Sequence, residues 1–319
     1  MRALICGISG QDGAYLARLL LDKGYAVTGT SRDAGTFSGG NLAKLALLDR
    51  IQLVSMAPLD PRSVLDVLRT ADADEIYNLS GQSSVGLSFQ QPAETLNSII
   101  SVNLNILEGI RQLGKSVRFL NAGSGEIFGE TKAAGASEDD PLNPQSPYAV
   151  AKAAAFWLVA NYRNAYGLHA STGILFNHES PLRSAPFVTR KIIATACRIS
   201  RGSGEKLTLG NMDIRRDWGW APEYVEAMWQ MLQQAAPADF VIATGSTHSL
   251  EEFVGAAFAA VNLHWRDHTE VSRALFRPTD VAEMKGDPRK IANALGWTSR
   301  IDMQGVVSLM VKAELEGST

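Results

Sequence analysis

The chain has 319 residues, 45% of them hydrophobic and 20% charged, with a formal net charge of -3. That balance suits one large globular α/β domain with a smaller lobe, and it excludes a basic face for nucleic acid or an anionic membrane. Only two cysteines, Cys6 and Cys197, are present, which excludes a disulfide scaffold and points to a reducing cytoplasm. The start runs straight into strand pattern rather than a signal core, and no apolar run approaches membrane-spanning length.

Arg2–Cys6 reads as the first strand, and GISGQDG follows with Gly7, Gly10 and Gly13. Asp12–Lys23 places Tyr15, Leu16, Leu19, Leu20 and Leu21 at helical spacing and stops at Gly24. Strand, spaced glycines and helix are the context of a dinucleotide site, because glycine lets the backbone approach a pyrophosphate at the helix N-terminus. The spacing is G-x-x-G-x-x-G rather than G-x-G-x-x-G, the variant found in short-chain dehydrogenase relatives. Asp12 is a physical oddity here. It lies in the first helical turn, where a carboxylate caps free N–H groups, yet beside an incoming anion, so it must turn away or meet a donor.

Ala26–Thr30 is the second strand, ending at Ser31, Arg32 and Asp33. Arg32 can pair with a 2′-phosphate and favours NADP over NAD, with Asp33 beside it weakening that pairing. Glu75–Leu79 and Val117–Asn121 are further apolar strands, and helical patterns separate them. The alternation implies a Rossmann-type, doubly wound parallel sheet covered on both faces. Asn121-Ala122-Gly123-Ser124 closes one strand, and Ser124 can hold a substrate hydroxyl. Two residues on stands Glu126, a carboxylate that simple alcohol oxidation does not need.

A helix is expected over Pro147–Tyr166. It carries Tyr148 and Lys152 four residues apart, on one helical face. A nearby ammonium lowers a phenol's pKa, which suits Tyr148 to act as a base. Ala170–Phe176 is the next strand, and helices follow over Val188–Ile199, Ala221–Gln234, Leu250–Val261 and Met303–Leu315. A strand near Phe240–Ala243 is expected to return to the large sheet. The resulting division is a dinucleotide-binding domain over 1–175 and a mainly substrate-binding lobe over 176–319. Five scattered histidines give no metal-ligand spacing, so no metal is expected.

GISGQDG, NLSGQSSVGLSF, SPYAVAK, GILFNHESP, FVTRKI, LGNMD, RDWG and DFVIATG together resemble the GDP-mannose 4,6-dehydratase family of extended short-chain dehydrogenases/reductases. The resemblance runs nearly end to end. It implies a redox-neutral reaction on GDP-mannose with bound NADP (NAD being the alternative). Ser124, Glu126, Tyr148 and Lys152 are then catalytic. Cofactor contacts fall to Gly7, Gly10, Gln11, Asp12, Gly13, Arg32, Leu59, Leu79, Tyr148, Lys152 and His178.

By the same resemblance, Ser83, Asn177, Val188, Lys191, Leu209, Gly210, Arg216, Arg277 and Asp280 face the nucleotide-sugar. Arg216 and Arg277 neutralise the diphosphate and Asp280 holds the guanosine ribose. A homodimer or homotetramer is implied, with Glu94–Leu113 and Pro147–Tyr166 as the pairing helices. The chain departs from the family pattern at Ser124, where threonine is usual, at Asp33, where a second arginine is usual, and at Pro58, where an acid is usual. The segment Gly35–Ile51 is also short. The rival readings are a related sugar-nucleotide reductase or epimerase, which has no need of Glu126, and a non-catalytic NADP-binding sensor.

Overall fold

In Arg2–Cys6 (β1) alternate side chains point to opposite faces of the sheet. Ala3 and Ile5 join a core on one face, while Leu4 and Cys6 join a second core on the other. A strand buried on both faces is what its continuous apolar run predicts. The computed structural model describes residues 1–317. Its main sheet contains β1, β2 (Ala26–Ser31), β3 (Gln52–Ser55), β4 (Glu75–Asn78), β5 (Arg118–Ala122), β6 (His169–Leu175) and the late strand Phe240–Ile242. The spatial order is β3-β2-β1-β4-β5-β6 and then Phe240–Ile242, with every neighbouring pair parallel. The expected doubly wound sheet and the returning strand are both present.

Helices Pro61–Ala71, Val102–Leu113 and Pro147–Tyr166 contribute to the core beside Leu4 and Cys6. Gln11–Asp22 and Ala221–Leu232 contribute to the core on the other face. A separate core joins Val188–Ser200, Leu250–Ala259 and Met303–Leu315. This second lobe is laced to the first half of the chain. Thr131 N donates to the Glu283 carbonyl (3.1 Å), Ala136 N to the Lys285 carbonyl (2.8 Å), and Asp287 N to the Ala136 carbonyl (2.9 Å). The Glu130 carboxylate accepts from the amides of Ala282 and Glu283.

Two expectations needed revision. The helix expected over Glu94–Leu113 is Pro92–Leu96, a π-helical turn at Asn97–Ser101, and Val102–Leu113. A π turn keeps side chains close to helical spacing, so the sequence pattern does not display it. The edge strand Gln52–Ser55 had no counterpart among the expected strands, because its residues are half-buried or exposed. Among the described residues no helix is long and apolar enough to cross a membrane.

The sheet order reverses between β1 and β4, and the crevice beyond their carboxyl ends is the ligand position in such sheets. The glycine loop lies there. Gly7 has φ +83°, and a Cβ on it would lie 2.8 Å from the carbonyl of Leu79, just past β4. A Cβ on Gly13 would lie 2.4 Å from the Gly7 carbonyl oxygen and 2.6 Å from Ile8 Cα. Both obstacles are backbone, so Gly13→Ala is expected to cost about 1–3 kcal/mol, measured by urea unfolding.

Candidate active site

Gly10 differs from its two neighbours in the loop. A Cβ there would meet only the Gly7 carbonyl oxygen, at 3.4 Å. Gly7 makes the turn, Gly13 lets the helix sit against the loop, and Gly10 leaves an open face at the N-terminus of Gln11–Asp22. Helix N–H groups at such a face suit a pyrophosphate, so the residues present fit a dinucleotide. Gly10→Ala is expected to leave unfolding unchanged and to weaken nicotinamide-dinucleotide binding at least tenfold, about 1.4 kcal/mol, read by fluorescence titration.

Gln11 and Asp12 do not face outward. Gln11 Nε2 donates to the His178 carbonyl (3.2 Å), and Ser180 Oγ donates to Gln11 Oε1 (2.7 Å). His178 Nε2 lies 2.9 Å from Asp12 Oδ2, and His178 Nδ1 lies 2.7 Å from the Phe176 carbonyl oxygen. The GQDG and NHES segments therefore meet, and both ring nitrogens of His178 are engaged within the protein. Arg32 is exposed at the end of β2, Leu59 is exposed, and Leu79 is half-buried beside Gly7.

Ser146 begins the Pro147–Tyr166 helix, its Oγ accepting from Ala149 N at 3.1 Å, with proline next and Gly167 at φ +66° closing the far end. This frame buries both Tyr148 and Lys152. The Lys152 ammonium donates to the Ala122 carbonyl at the end of β5 (2.7 Å) and lies 5.7 Å from the Tyr148 ring centroid. Burial pushes the Tyr148 phenol up to about 12, against a hydrogen bond with the Ser124 side chain. Burial brings Lys152 down to about 8, with the Asp12 charge opposing. The net shift of the phenol is therefore upward rather than the expected downward one: burial is its largest cause, and the ammonium donates to a carbonyl.

Ser124 Oγ also accepts from Glu126 N (3.3 Å), capping the short turn Gly125–Phe128 that carries Glu126. Burial raises the Glu126 carboxyl, Arg216 and Arg277 pull it back, and Asp280 adds to the rise. The expected diphosphate arginines and ribose acid therefore share an electrostatic field with the candidate proton-transfer carboxyl. Arg216 is buried, and Nη1 donates to the Val281 carbonyl (2.9 Å). Its Nη2 lies 3.8 Å from Asp280 Oδ1, a buried oxygen with no hydrogen-bond partner. Arg277 is exposed.

The remaining candidates are spread around these groups. Asn177 and Val188 are half-buried, Ser83 is exposed, and Lys191 Nζ donates to the Thr208 carbonyl (2.6 Å). Leu209 is buried in the second lobe's core, so any ligand contact there runs through its backbone. A Cβ on Gly210 would lie 2.9 Å from the Leu275 carbonyl oxygen, so the 273–277 stretch packs directly on it.

Sequence reasoning missed Arg183. Its Nε is 3.2 Å from Glu179 Oε2, its guanidinium lies over the Phe187 ring, and its charge acts on Asp12, His178 and Tyr148. A lone arginine in a loop gives no local signal of that placement. Asp217 was also missed. It is buried and accepts from Thr244 N and Oγ1, Gly245 N and Gly286 N. It pins the end of the late strand Phe240–Ile242 beside Arg216.

A doubly wound parallel sheet, a glycine loop at its switch point, and Ser124, Tyr148 and Lys152 gathered beyond β5 define an extended short-chain dehydrogenase/reductase. The profile of the family described as GDP-mannose 4,6 dehydratase matches residues 4–310. The chain belongs to that family. It is 43% identical over 327 residues to GDP-mannose 4,6 dehydratase 1 of Arabidopsis thaliana, covering 98% of this chain and 90% of the relative. It is 41% identical over 346 residues to GDP-mannose 4,6-dehydratase of Sinorhizobium fredii (strain HH103), covering 98% and 96%. Among solved structures it is similar to UDP-glucose 4-epimerase of Thermus thermophilus in complex with NAD, with TM-score 0.86, 25% identity and full coverage of both chains.

Proposed function

We propose that the chain converts GDP-mannose to GDP-4-keto-6-deoxymannose with loss of water and no net redox change. The observation that carries this reading is Glu126. It is a desolvated carboxyl with raised pKa whose backbone N–H donates to Ser124 and whose charge acts with those of Tyr148, Arg216, Arg277 and Asp280, which supports the reading. Oxidation of an alcohol alone needs no such acid.

A nicotinamide cofactor held at the glycine loop of Gly7, Gly10 and Gly13 and beside Lys152 would supply reversible hydride transfer, from C4 of the sugar and back to C6. Tyr148, with Ser124 holding the same hydroxyl, takes the proton of the 4-hydroxyl as the phenolate. Burial holds the free phenol above its usual value, so the positive charge of an oxidised nicotinamide would be what stabilises that form. The 4-ketone acidifies C5, and Glu126 removes that proton. Glu126 then donates it to the departing C6 hydroxyl, so one carboxyl serves as base and acid in turn. Hydride return to C6 leaves an enolate whose C5 takes up one proton, which balances the proton Tyr148 gained from the 4-hydroxyl. A carboxyl whose pKa is lifted toward neutrality suits both roles better than an exposed one. Arg216 and Arg277 bind the diphosphate by charge-assisted hydrogen bonds. A ribose hydroxyl donating to Asp280 Oδ1 would satisfy an otherwise unpaired buried acceptor. Asn177, Val188, Lys191, Ser83 and the Leu209–Gly210 backbone complete the nucleotide-sugar contacts.

We read the cofactor as NADP. Asp33 Oδ1 is taken up by Gly35 N (2.9 Å) and Thr36 N (3.3 Å). That leaves Arg32 as the cation at the end of β2, where a 2′-phosphate is met in this fold. The purified protein, given GDP-mannose and catalytic NADP, is expected to form a product lighter by one water with no net cofactor reduction, read by mass spectrometry and nicotinamide absorbance. Consumption of NADPH on a 4-keto-6-deoxy sugar, without turnover of GDP-mannose, would assign a reductase instead.

A further inference from the structure

Asp12 and His178 stand 166 residues apart in sequence and lie together between the glycine loop and the segment that opens the second lobe. Both neighbours of the His178 ring are acceptors. The Phe176 carbonyl oxygen faces Nδ1 at 2.7 Å, and the Asp12 carboxylate faces Nε2 at 2.9 Å. A carbonyl oxygen and an ionised carboxylate have no proton to give, and the pKa of Asp12 is lowered. With Asp12 ionised both ring nitrogens donate, which makes the ring an imidazolium. The electrostatics agree. Burial opposes a charged His178, but the Asp12 charge and hydrogen bond prevail and raise its pKa. Burial likewise opposes the Asp12 charge, and His178 prevails and lowers it. Tyr224 covers the ring face, with centroids 4.6 Å apart at 22°, a favourable surface for a cation.

We propose that the Asp12–His178 ion pair is a clasp that retains the dinucleotide throughout the reaction. It fastens the glycine loop to the second lobe and cancels the negative charge that Asp12 would otherwise present to a pyrophosphate. Asp12 and His178 are positioning residues in this role, and the Gln11–Ser180 hydrogen bond braces them. The proposal rests on the reading above, in which hydride leaves and returns to one substrate. A cofactor that dissociated between the two steps would leave the oxidised sugar stranded.

The charged and titratable groups facing the pair are Arg183 from the following loop, Lys152 and Tyr148 from the long helix, Tyr15 from the first helix, and Tyr224. His178 has a raised pKa in the fold, so the clasp is complete below its free value and is lost as pH rises through the raised one. Asp12 is lowered, so its half of the pair is lost only as pH falls through that depressed value.

The test is the release rate of NADPH, with NADH in parallel, displaced by excess oxidised cofactor and followed by nicotinamide fluorescence without any sugar nucleotide. Asp12→Asn and His178→Gln are each expected to speed release about ten- to hundredfold, and the double variant no more than either alone. Release within about twofold of the parent, or additive effects, would overturn the clasp. Ring ¹⁵N shifts of His178 in the unaltered protein at neutral pH give a readout that survives a misfolded variant. An imidazolium is expected, and a neutral ring would overturn the proposal. Failure of GDP-mannose turnover would sink the proposed reaction while leaving these release rates and shifts to decide the clasp.

Discussion

Tyr148→Phe is expected to lower turnover of GDP-mannose by about 10²–10⁴-fold, the usual span for removing a proton-transfer group. The ring itself packs with Ile99, Ala151 and Ala155, so phenylalanine keeps the packing and loses only the hydroxyl. That hydroxyl is desolvated, and its bond with Ser124 opposes the rise in its pKa. Its loss should change stability by no more than about 0.5–1.5 kcal/mol. Binding of the dinucleotide should weaken by no more than the loss of one hydrogen bond, since the glycine loop is untouched. Steady-state kinetics, a thermal melt and a cofactor titration together check all three. A variant with full turnover would remove Tyr148 from the chemistry.

Glu126→Gln separates the two halves of the reaction. Glutamine matches glutamate in size but cannot exchange a proton at C5 or at the departing hydroxyl. Oxidation at C4 depends on Tyr148 and is expected to persist, so the reduced-nicotinamide band should appear and stay. Water loss should fall about 10²–10⁴-fold. The raised pKa of Glu126 also sets a direction for pH. As pH rises through it, the acid form declines and the donation step weakens, while the base form weakens on the acid side. Mass spectrometry of the sugar product, with absorbance of the same sample, reads both halves at once. Unimpaired water elimination would remove Glu126 from the proton transfers at C5 and at the departing hydroxyl.

Much of this site was legible because its parts are local. β1 with its glycine loop, and Tyr148 with Lys152, each fit within a few residues, where periodicity and spacing carry the signal. The hidden parts are those that meet across the fold. Asp12 looked anomalous in a phosphate loop, and the donor it required was His178, supplied by the other lobe. Arg183 and Asp217 acquire their roles only when distant backbone segments converge on them. The phenol's pKa was misjudged because helical spacing shows that Tyr148 and Lys152 share a face. It does not show how deeply that face is buried. Gln52–Ser55 escaped notice because an edge strand with exposed residues lacks an apolar run.

The hydrogen bonds that carry 282–287 back onto 130–136 bear on how this enzyme type diversifies. The lobe proposed to meet the nucleotide-sugar is not an interchangeable cassette. A chimera taking everything after residue 175 from a relative would also receive new partners for Glu130, Thr131 and Ala136, and a new final strand for the sheet. A new nucleotide preference is therefore expected more readily from single side chains around Arg216 and Asp280, the proposed diphosphate and ribose residues, than from shuffling whole segments.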